Sequence, residues 1–175
     1  MDALSLDQVY ALLAPGPVVF LTTCRDARAH LTVLNWHMMV DVAPPYIACV
    51  VPQGDPSFSA LRSTRDCVIA VPSADLSQTV AALARGVAPG GDPFAAAGLT
   101  PAAAESVTSP LVTECFVNLE CRVTDTRLVS QYNLFILEVM KAWHDPAQGW
   151  PATIRPRLAT PAPAAGNSAT ASSAS

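Results

Sequence analysis

Charge is scarce in this sequence. Only 14% of its 175 residues are Asp, Glu, Lys or Arg, where an ordinary soluble domain carries about 25%. The formal net charge is −4, and Lys and Arg form no run anywhere. Nucleic acids and anionic membrane surfaces are held through dense positive charge, so neither is an expected partner. Long apolar runs are missing too: none approaches the roughly 18 uninterrupted residues of a transmembrane helix. The opening residues, MDALSLDQVY, lack the basic region and apolar core of a signal peptide. Five cysteines, an odd number with no close pairing, suit a reducing interior better than a disulfide framework. The cytoplasm is the expected compartment.

Familiar catalytic signatures are absent as well. The sequence has no GxSxG, no GxxxxGK[ST] and no GxGxxG, which removes the usual sequence support for nucleophilic hydrolysis, P-loop phosphoryl transfer and a Rossmann nucleotide site. His30, His37 and His144 lie far apart, and none belongs to an HExxH or CxxC-linked metal pattern. A metal trio of His37, Cys49 and Cys115 is only the kind of combination any unknown fold allows. Cys49, Cys67, Cys115 and Cys121 occupy strand-like positions and read as small core residues; Cys24, beside Arg25, has the most reactive setting. Carboxylates are few and separated, so paired acid/base work is unsupported.

What the chain has is apolar residues, 51% of the total. That is enough for one domain with a real core. It also leaves a surplus that a second copy could cover, so a homodimer is expected. Ser5 and Gln8 have capping-box spacing, with Leu6, Val9 and Leu13 on one side of a short helix. The run VVFLTT, Val18 to Thr23, reads as a strand, and so does CVIAVP, Cys67 to Pro72. Between them, a short helix capped by Ser57 places Phe58 and Leu61 one turn apart. Asp75 and Gln78 mark a second helix start, with Leu76, Val80 and Leu83 as its apolar face. Residues 86–110 are rich in Gly, Pro and Ala and read as a long excursion holding one short helix around Phe94–Ala97.

Alternation is cleanest from Val112 to Asp125. Cys115, Val117, Leu119, Cys121 and Val123 face one way, and Glu114, Asn118, Glu120 and Arg122 the other. This is the pattern of a strand half exposed to water; Phe116 breaks the outward set and is free to meet a second subunit or a ligand. Asn133 to Trp143 is the last strand. Residues 1–154 form the domain, and 155–175 are a low-complexity tail with nothing to bury, expected to be disordered. At least six strands with two or three short helices make an antiparallel β-barrel or an α+β sheet. A parallel doubly wound fold is disfavoured because no crossover helix fits between Val18 and Val51.

The centre of the chain is Leu31 to Val51, two apolar runs expected to form buried strands joined by the Pro44-Pro45 elbow. The loop PQGDPS and a helix start follow. Ser57 and Ser59 offer hydroxyls there, and Arg62 and Arg65 add charge from the next turn, a set suited to an anion. The joined segment TVLNWHMMVDVAPPYIACVVPQGDPSFSALRSTRDCVIAVP resembles the flavin reductase-like family, the FMN-binding split barrels related to the small flavin reductase components of two-component monooxygenases. The stretch FAAAGLTPAAAESVTSPLV, the segment NLECRV and the closing YNLFILEVMKAW match in character and order, so the resemblance covers about Pro15 to Trp143.

That resemblance implies a mainly β fold with short helices, an FMN-binding split β-barrel. It implies that Thr32, Val33, Leu34, Asn35, Trp36 and His37 line or approach the flavin, that Cys49, Val50 and Val51 floor the site, and that Ser57, Ser59 and Arg62 hold phosphate or ribityl oxygens. The implied activity is hydride transfer from NADH or NADPH to flavin N5, with free flavin or a flavin-dependent monooxygenase as the recipient. No side chain then has to act as an obligatory acid or base, and His37 and Trp36 shape the site. The alternative is a module that binds flavin without turnover, or that uses the barrel for dimerisation alone. Two features depart from the family: the C-terminal ATPAPAAGNSATASSAS replaces a further His/Gly-rich segment and strand, and His30 stands where an amide or small polar residue is usual.

Overall fold

The computed structural model describes residues 17–86 and 90–145. The expected helix over Ser5–Leu13 and the low-complexity tail lie outside the described residues. Nine strands are described: β1 (Val19–Arg25), β2 (Arg28–Leu34), β3 (His37–Val42), β4 (Pro45–Val50), β5 (Asp66–Pro72), the two-residue β6 (Pro101–Ala102) and β7 (Leu111–Val112), β8 (Cys115–Asp125) and β9 (Leu134–His144). The helices are short: α1 (Pro56–Thr64), α2 (Ser77–Leu83, entered through a 3₁₀ turn at Ala74–Leu76), α3 (Pro93–Ala97) and α4 (Val129–Tyr132). Seven strands form one antiparallel sheet in the order β2-β1-β5-β8-β9-β4-β3, and β6 pairs with β7 beside it.

The sheet order has a geometric consequence. β2 and β3 stand at its two ends, yet only Asn35 and Trp36 separate them in the chain. Three Cα steps span at most about 11 Å, so the sheet must roll until its edges meet at that point. Trp36 O there accepts a hydrogen bond from Val50 N at 3.0 Å. No ladder joins β2 to β3 among the described residues, so the roll is not a closed barrel.

Rolling creates two apolar cores. The inner one takes Val19, Leu21, Leu34, Ile47, Cys49, Cys67, Ile69, Cys121, Phe135 and Leu137 from six strands, with Val51, Phe58 and Leu61 placing α1 across the mouth. The Phe58 and Phe135 rings meet edge to face, 5.5 Å between centroids. The outer core packs Phe20, Leu31, Val68 and Ala70 beneath Phe94, Leu99 and Val112, with Leu76, Val80 and Leu83 alongside. The second helix's expected apolar face and the helix around Phe94 both take part in this outer layer.

Several expectations need correction. Leu31 to Val42 is not one buried strand: it breaks at Asn35-Trp36, and β3 is exposed, with Met38 63%, Met39 53% and Val42 80% accessible. β3 and β4 do form a hairpin around the proline pair, where Ala43–Pro44 is cis and Pro45 opens β4. The helix cap is Asp55, not Ser57: its carboxylate accepts from Ser57 N at 2.8 Å, and Pro56 fills the first helical position. Asn118 and Glu120 face inward under cover, and Phe116 is 1% exposed, its ring edge-on to His144 rather than free for a partner.

The cover is the 101–112 segment, and buried polar groups hold it. Glu120, fully buried, accepts from Glu105 N (3.1 Å), Ser106 N and Trp143 Nε1 (2.7 Å). Asn118 Oδ1 accepts from Val112 N at 2.8 Å, and its Nδ2 donates to Val112 O at 3.0 Å. Asp66 accepts from Thr108 N and Oγ1 and from Ser109 Oγ. A polar residue on the second face of a strand survives burial only when its lone pairs are met; here main-chain donors of one segment meet them.

Candidate functional site

A cleft of about 490 Å³ straddles the β2 edge, a size typical of small-molecule sites. Its polar side is Arg28, His30, Thr32 and Asp55; Val33, Leu83 and Pro93 make its apolar side. Gly86, Gly90 and Gly91 add wall without side chains, the first two at φ of 94° and 79° that side chains rarely adopt. As an edge strand, β2 leaves alternate N–H and C=O groups unpaired, available to a planar ligand with a polar rim.

A compact hydrogen-bond relay fixes one side of the cleft. Ser57, fully buried, has its hydroxyl 2.9 Å from Thr32 Oγ1, and Thr32 Oγ1 lies 2.8 and 3.0 Å from the two Asp55 carboxylate oxygens. The carboxylate can only accept, so Thr32 donates to Asp55 and Ser57 donates to Thr32. The same carboxylate caps α1 through Ser57 N. One carboxylate therefore ties the edge strand to the start of the helix. His30 sits beside it. Burial, then the positive Arg28, pulls its pKa below the ordinary 6.5, against the Asp55 charge. It is a neutral imidazole at neutral pH, able to donate through one nitrogen and accept through the other.

The residues singled out from sequence do not form one cluster. Thr32 and Val33 line the cleft. Asn35 and Trp36 form the exposed crossing beyond it, with Trp36 45% accessible. His37 is half-buried, and its Nε2 donates to Pro17 O at 2.8 Å. Leu34, Cys49 and Val51 turn their side chains into the inner core, so a ligand outside can reach only their backbones; burial drives the Cys49 thiol up to about 12. Val50 is half-buried, its N–H spent on Trp36 O. Ser57 is committed to the relay. Ser59 donates its hydroxyl to Pro56 O at 3.1 Å, and the exposed Arg62 lies 6.0 Å over the Phe58 ring; neither lines the cleft.

Arg28, His30, Asp55 and the glycines Gly86, Gly90 and Gly91 were not named as site residues from the sequence. Asp55 left a readable signal, an Asp immediately before a Pro-led helix, the cap-and-first-position pairing. The glycines left none, because their role comes from α2 and α3 being folded over β2.

Comparison with known proteins agrees with this architecture. A family model described as "Flavin reductase like domain" matches residues 12–155. The structure is similar to an FMN-binding domain of a flavin reductases-like enzyme from Shewanella baltica, at 25% identity and a TM-score of 0.70, covering 82% of this chain and 76% of that one. It is also similar to flavoredoxin of Desulfovibrio vulgaris (22% identity, TM-score 0.70, 84% and 75% covered). An NADH:FAD oxidoreductase of Streptomyces globisporus shares the fold at 19% identity and a TM-score of 0.72, with 85% and 90% covered. A rolled antiparallel sheet plugged by α1, a cleft on its β2 edge and a family match across most of the sequence lead to one assignment: the chain belongs to the flavin reductase-like family, with the FMN-binding split-barrel fold.

Proposed function

We propose that the protein is an FMN-binding, NAD(P)H-dependent flavin reductase. The observation that carries the reading is the 490 Å³ cleft on an edge strand, lined on one side by Thr32, His30 and Asp55 and on the other by Val33, Leu83 and Pro93. This lining fits an isoalloxazine: a flat apolar body needs the aliphatic side, and a rim of donors and acceptors needs the polar side and the unpaired β2 backbone. When bound, the flavin supplies the redox chemistry, accepting hydride at N5 from the nicotinamide.

The protein's own work is binding and orientation. Thr32 and the β2 backbone position the ring's polar edge, and Val33 packs on its face. Asn35, Trp36 and His37 border the end of the site, and the main chain of Leu34, Cys49, Val50 and Val51 supports it. Ser59 and Arg62 stand on the flank where a phosphate tail could reach. Ser57 acts through Thr32. The Asp55 carboxylate is the relay's acceptor, and His30, held neutral, offers a hydrogen bond without adding charge. Holding two rings face to face is the main contribution a protein makes to hydride transfer.

The exposed β3 edge suits a second copy. Met38, Met39, Val40 and Val42 are all more than half accessible on an edge strand that pairs only with β4 among the described residues, an arrangement monomeric proteins avoid; homodimerisation through this strand is part of the proposal. The activity is tested by adding the purified protein to excess FMN and following loss of reduced-nicotinamide absorbance with NADH and with NADPH. Turnover above the protein-free control supports the reading, and none with either nucleotide overturns it.

A further inference from the structure

A second cavity, of about 400 Å³, shares no lining residue with the cleft. Gln53, Arg62, Arg65, Thr126 and Ser130 line it above the Phe58 ring. The shallower recess of about 310 Å³ beside it shares Phe58 and Arg62 and adds the Ser59 and Ser63 edges. Among the described residues no carboxylate lines either hollow. Asp125, the nearest in sequence to Thr126, is engaged with Arg127. Among the described residues neither Arg62 nor Arg65 is in an ion pair, and the side chains of Gln53, Thr126 and Ser130 make no hydrogen bond.

A cation in the last turn of a helix complements the helix dipole by itself, which accounts for Arg62. It does not account for Arg65. That residue caps α1 at φ 59°, the left-handed conformation where glycine is the ordinary choice. The backbone there is locked on both sides, Arg65 N donating to Leu61 O at 3.1 Å and Arg65 O accepting from Val123 N at 2.9 Å. The side chain is locked as well: Nη2 donates to Val123 O at 3.1 Å. One guanidinium donor is spent, and the rest of the fork is held in place facing the cavity. Two guanidinium groups, two hydroxyls and an amide around a hollow without a carboxylate match a tetrahedral dianion better than any neutral ligand.

We propose that the cavity formed by Arg62, Arg65, Gln53, Thr126 and Ser130 is a phosphate-monoester site, separate from the cleft on the β2 edge. Arg65 is its fixed element, held by Val123 O. Arg62 is its mobile one, free to swing from Phe58 onto the anion. The phosphate could belong to a flavin mononucleotide, to the 2′-phosphate of NADPH or to another phosphorylated metabolite, all of which present a phosphate monoester. The site does not depend on the flavin reading.

The experiment titrates the full-length protein with inorganic pyrophosphate while following backbone amide and Arg Nε resonances. Saturating shifts centred on Gln53, Arg65 and Ser130 support the site; their absence, or shifts centred on Arg28 and His30, overturn it. Arg65→Gly is the decisive variant, because glycine suits φ 59° and so preserves the cap while removing the guanidinium. It should melt within about 3 °C of the parent yet lose at least tenfold in pyrophosphate affinity, and Arg62→Gln should lose severalfold. Retained affinity in both variants overturns the proposal. Parallel titrations name the source: FMN binding weakened by Arg65→Gly with riboflavin binding unchanged assigns a flavin phosphate, and NADPH weakened alone assigns the dinucleotide. If no flavin binds at all, the flavin reading fails while the pyrophosphate result still decides this one.

Discussion

Replacing Asp55 by alanine tests how the cleft is held together. The substitution removes the N-cap of α1, a loss of about 1 kcal/mol for a typical cap. It also deprives the Thr32 hydroxyl of its carboxylate acceptor at 2.8 Å and leaves the fully buried Ser57 hydroxyl in a broken relay. Stranding a buried polar group costs a further 1–3 kcal/mol or so. The sum, about 2–4 kcal/mol, is a large share of the roughly 5–15 kcal/mol that keeps a domain folded. For a chain of this size each kcal/mol moves the melting point by about 2–4 °C, so Asp55→Ala should lower it by about 5–15 °C in circular dichroism melts. Asp55→Asn keeps a cap and an acceptor and should lose less than half as much. Because Thr32 and Asp55 touch, Thr32→Val and Asp55→Ala should be non-additive, the double variant falling about 1 kcal/mol or more short of the sum of the singles. A melting point within about 2 °C of the parent for Asp55→Ala, or strict additivity, would refute the relay.

Other consequences follow from the packing and the charges. Burial alone would raise the Glu120 carboxyl, but the Trp143 Nε1 donor and the Glu105 and Ser106 main-chain donors together pull it below the usual value. Its folded pKa is therefore depressed, so its contribution is present above the unfolded pKa and is lost as pH falls through the folded one. Amide exchange in residues 101–112 should accelerate on acidification before global unfolding, and Glu120→Gln should show that acceleration already at neutral pH. Phe94→Ala removes the ring that seats α3 on β2 and should cost about 3–5 kcal/mol, with FMN affinity falling alongside in fluorescence titrations. Val40→Asp places a charge on the exposed β3 edge strand; light scattering should show the proposed dimer converted to monomer, and an unchanged mass would remove β3 as the interface.

Much of the fold was written in local patterns. β1, β5 and β9 are β-branched and apolar runs bounded by turn residues, and they stand within a residue or two of where those patterns put them. The helix at Phe94 and the Leu76, Val80 and Leu83 face were equally legible, as were the four cysteines that the structure buries. The family was legible because several separated segments agree in order. The site was legible only in part. Thr32 and Val33 reach the cleft, but Ser59 and Arg62 line other hollows, one of which Arg62 shares with Arg65, Gln53, Thr126 and Ser130.

The sequence by itself determined the antiparallel strands, the helix starts and the apolar surplus, because each depends on residues within a few positions of one another. Only the tertiary structure decided which apolar strand is covered. Leu31–Leu34 and His37–Val42 read alike, and the difference is that β2 carries α1 and α2 above it while no described helix packs on β3. Only the tertiary structure decided that Asn118 and Glu120 are buried, since an outward-facing polar residue and one met by distant main-chain donors have the same local pattern. The cleft arises the same way. An edge strand becomes a binding surface when two helices and a capping carboxylate fold over it, and no window of the sequence contains all of them.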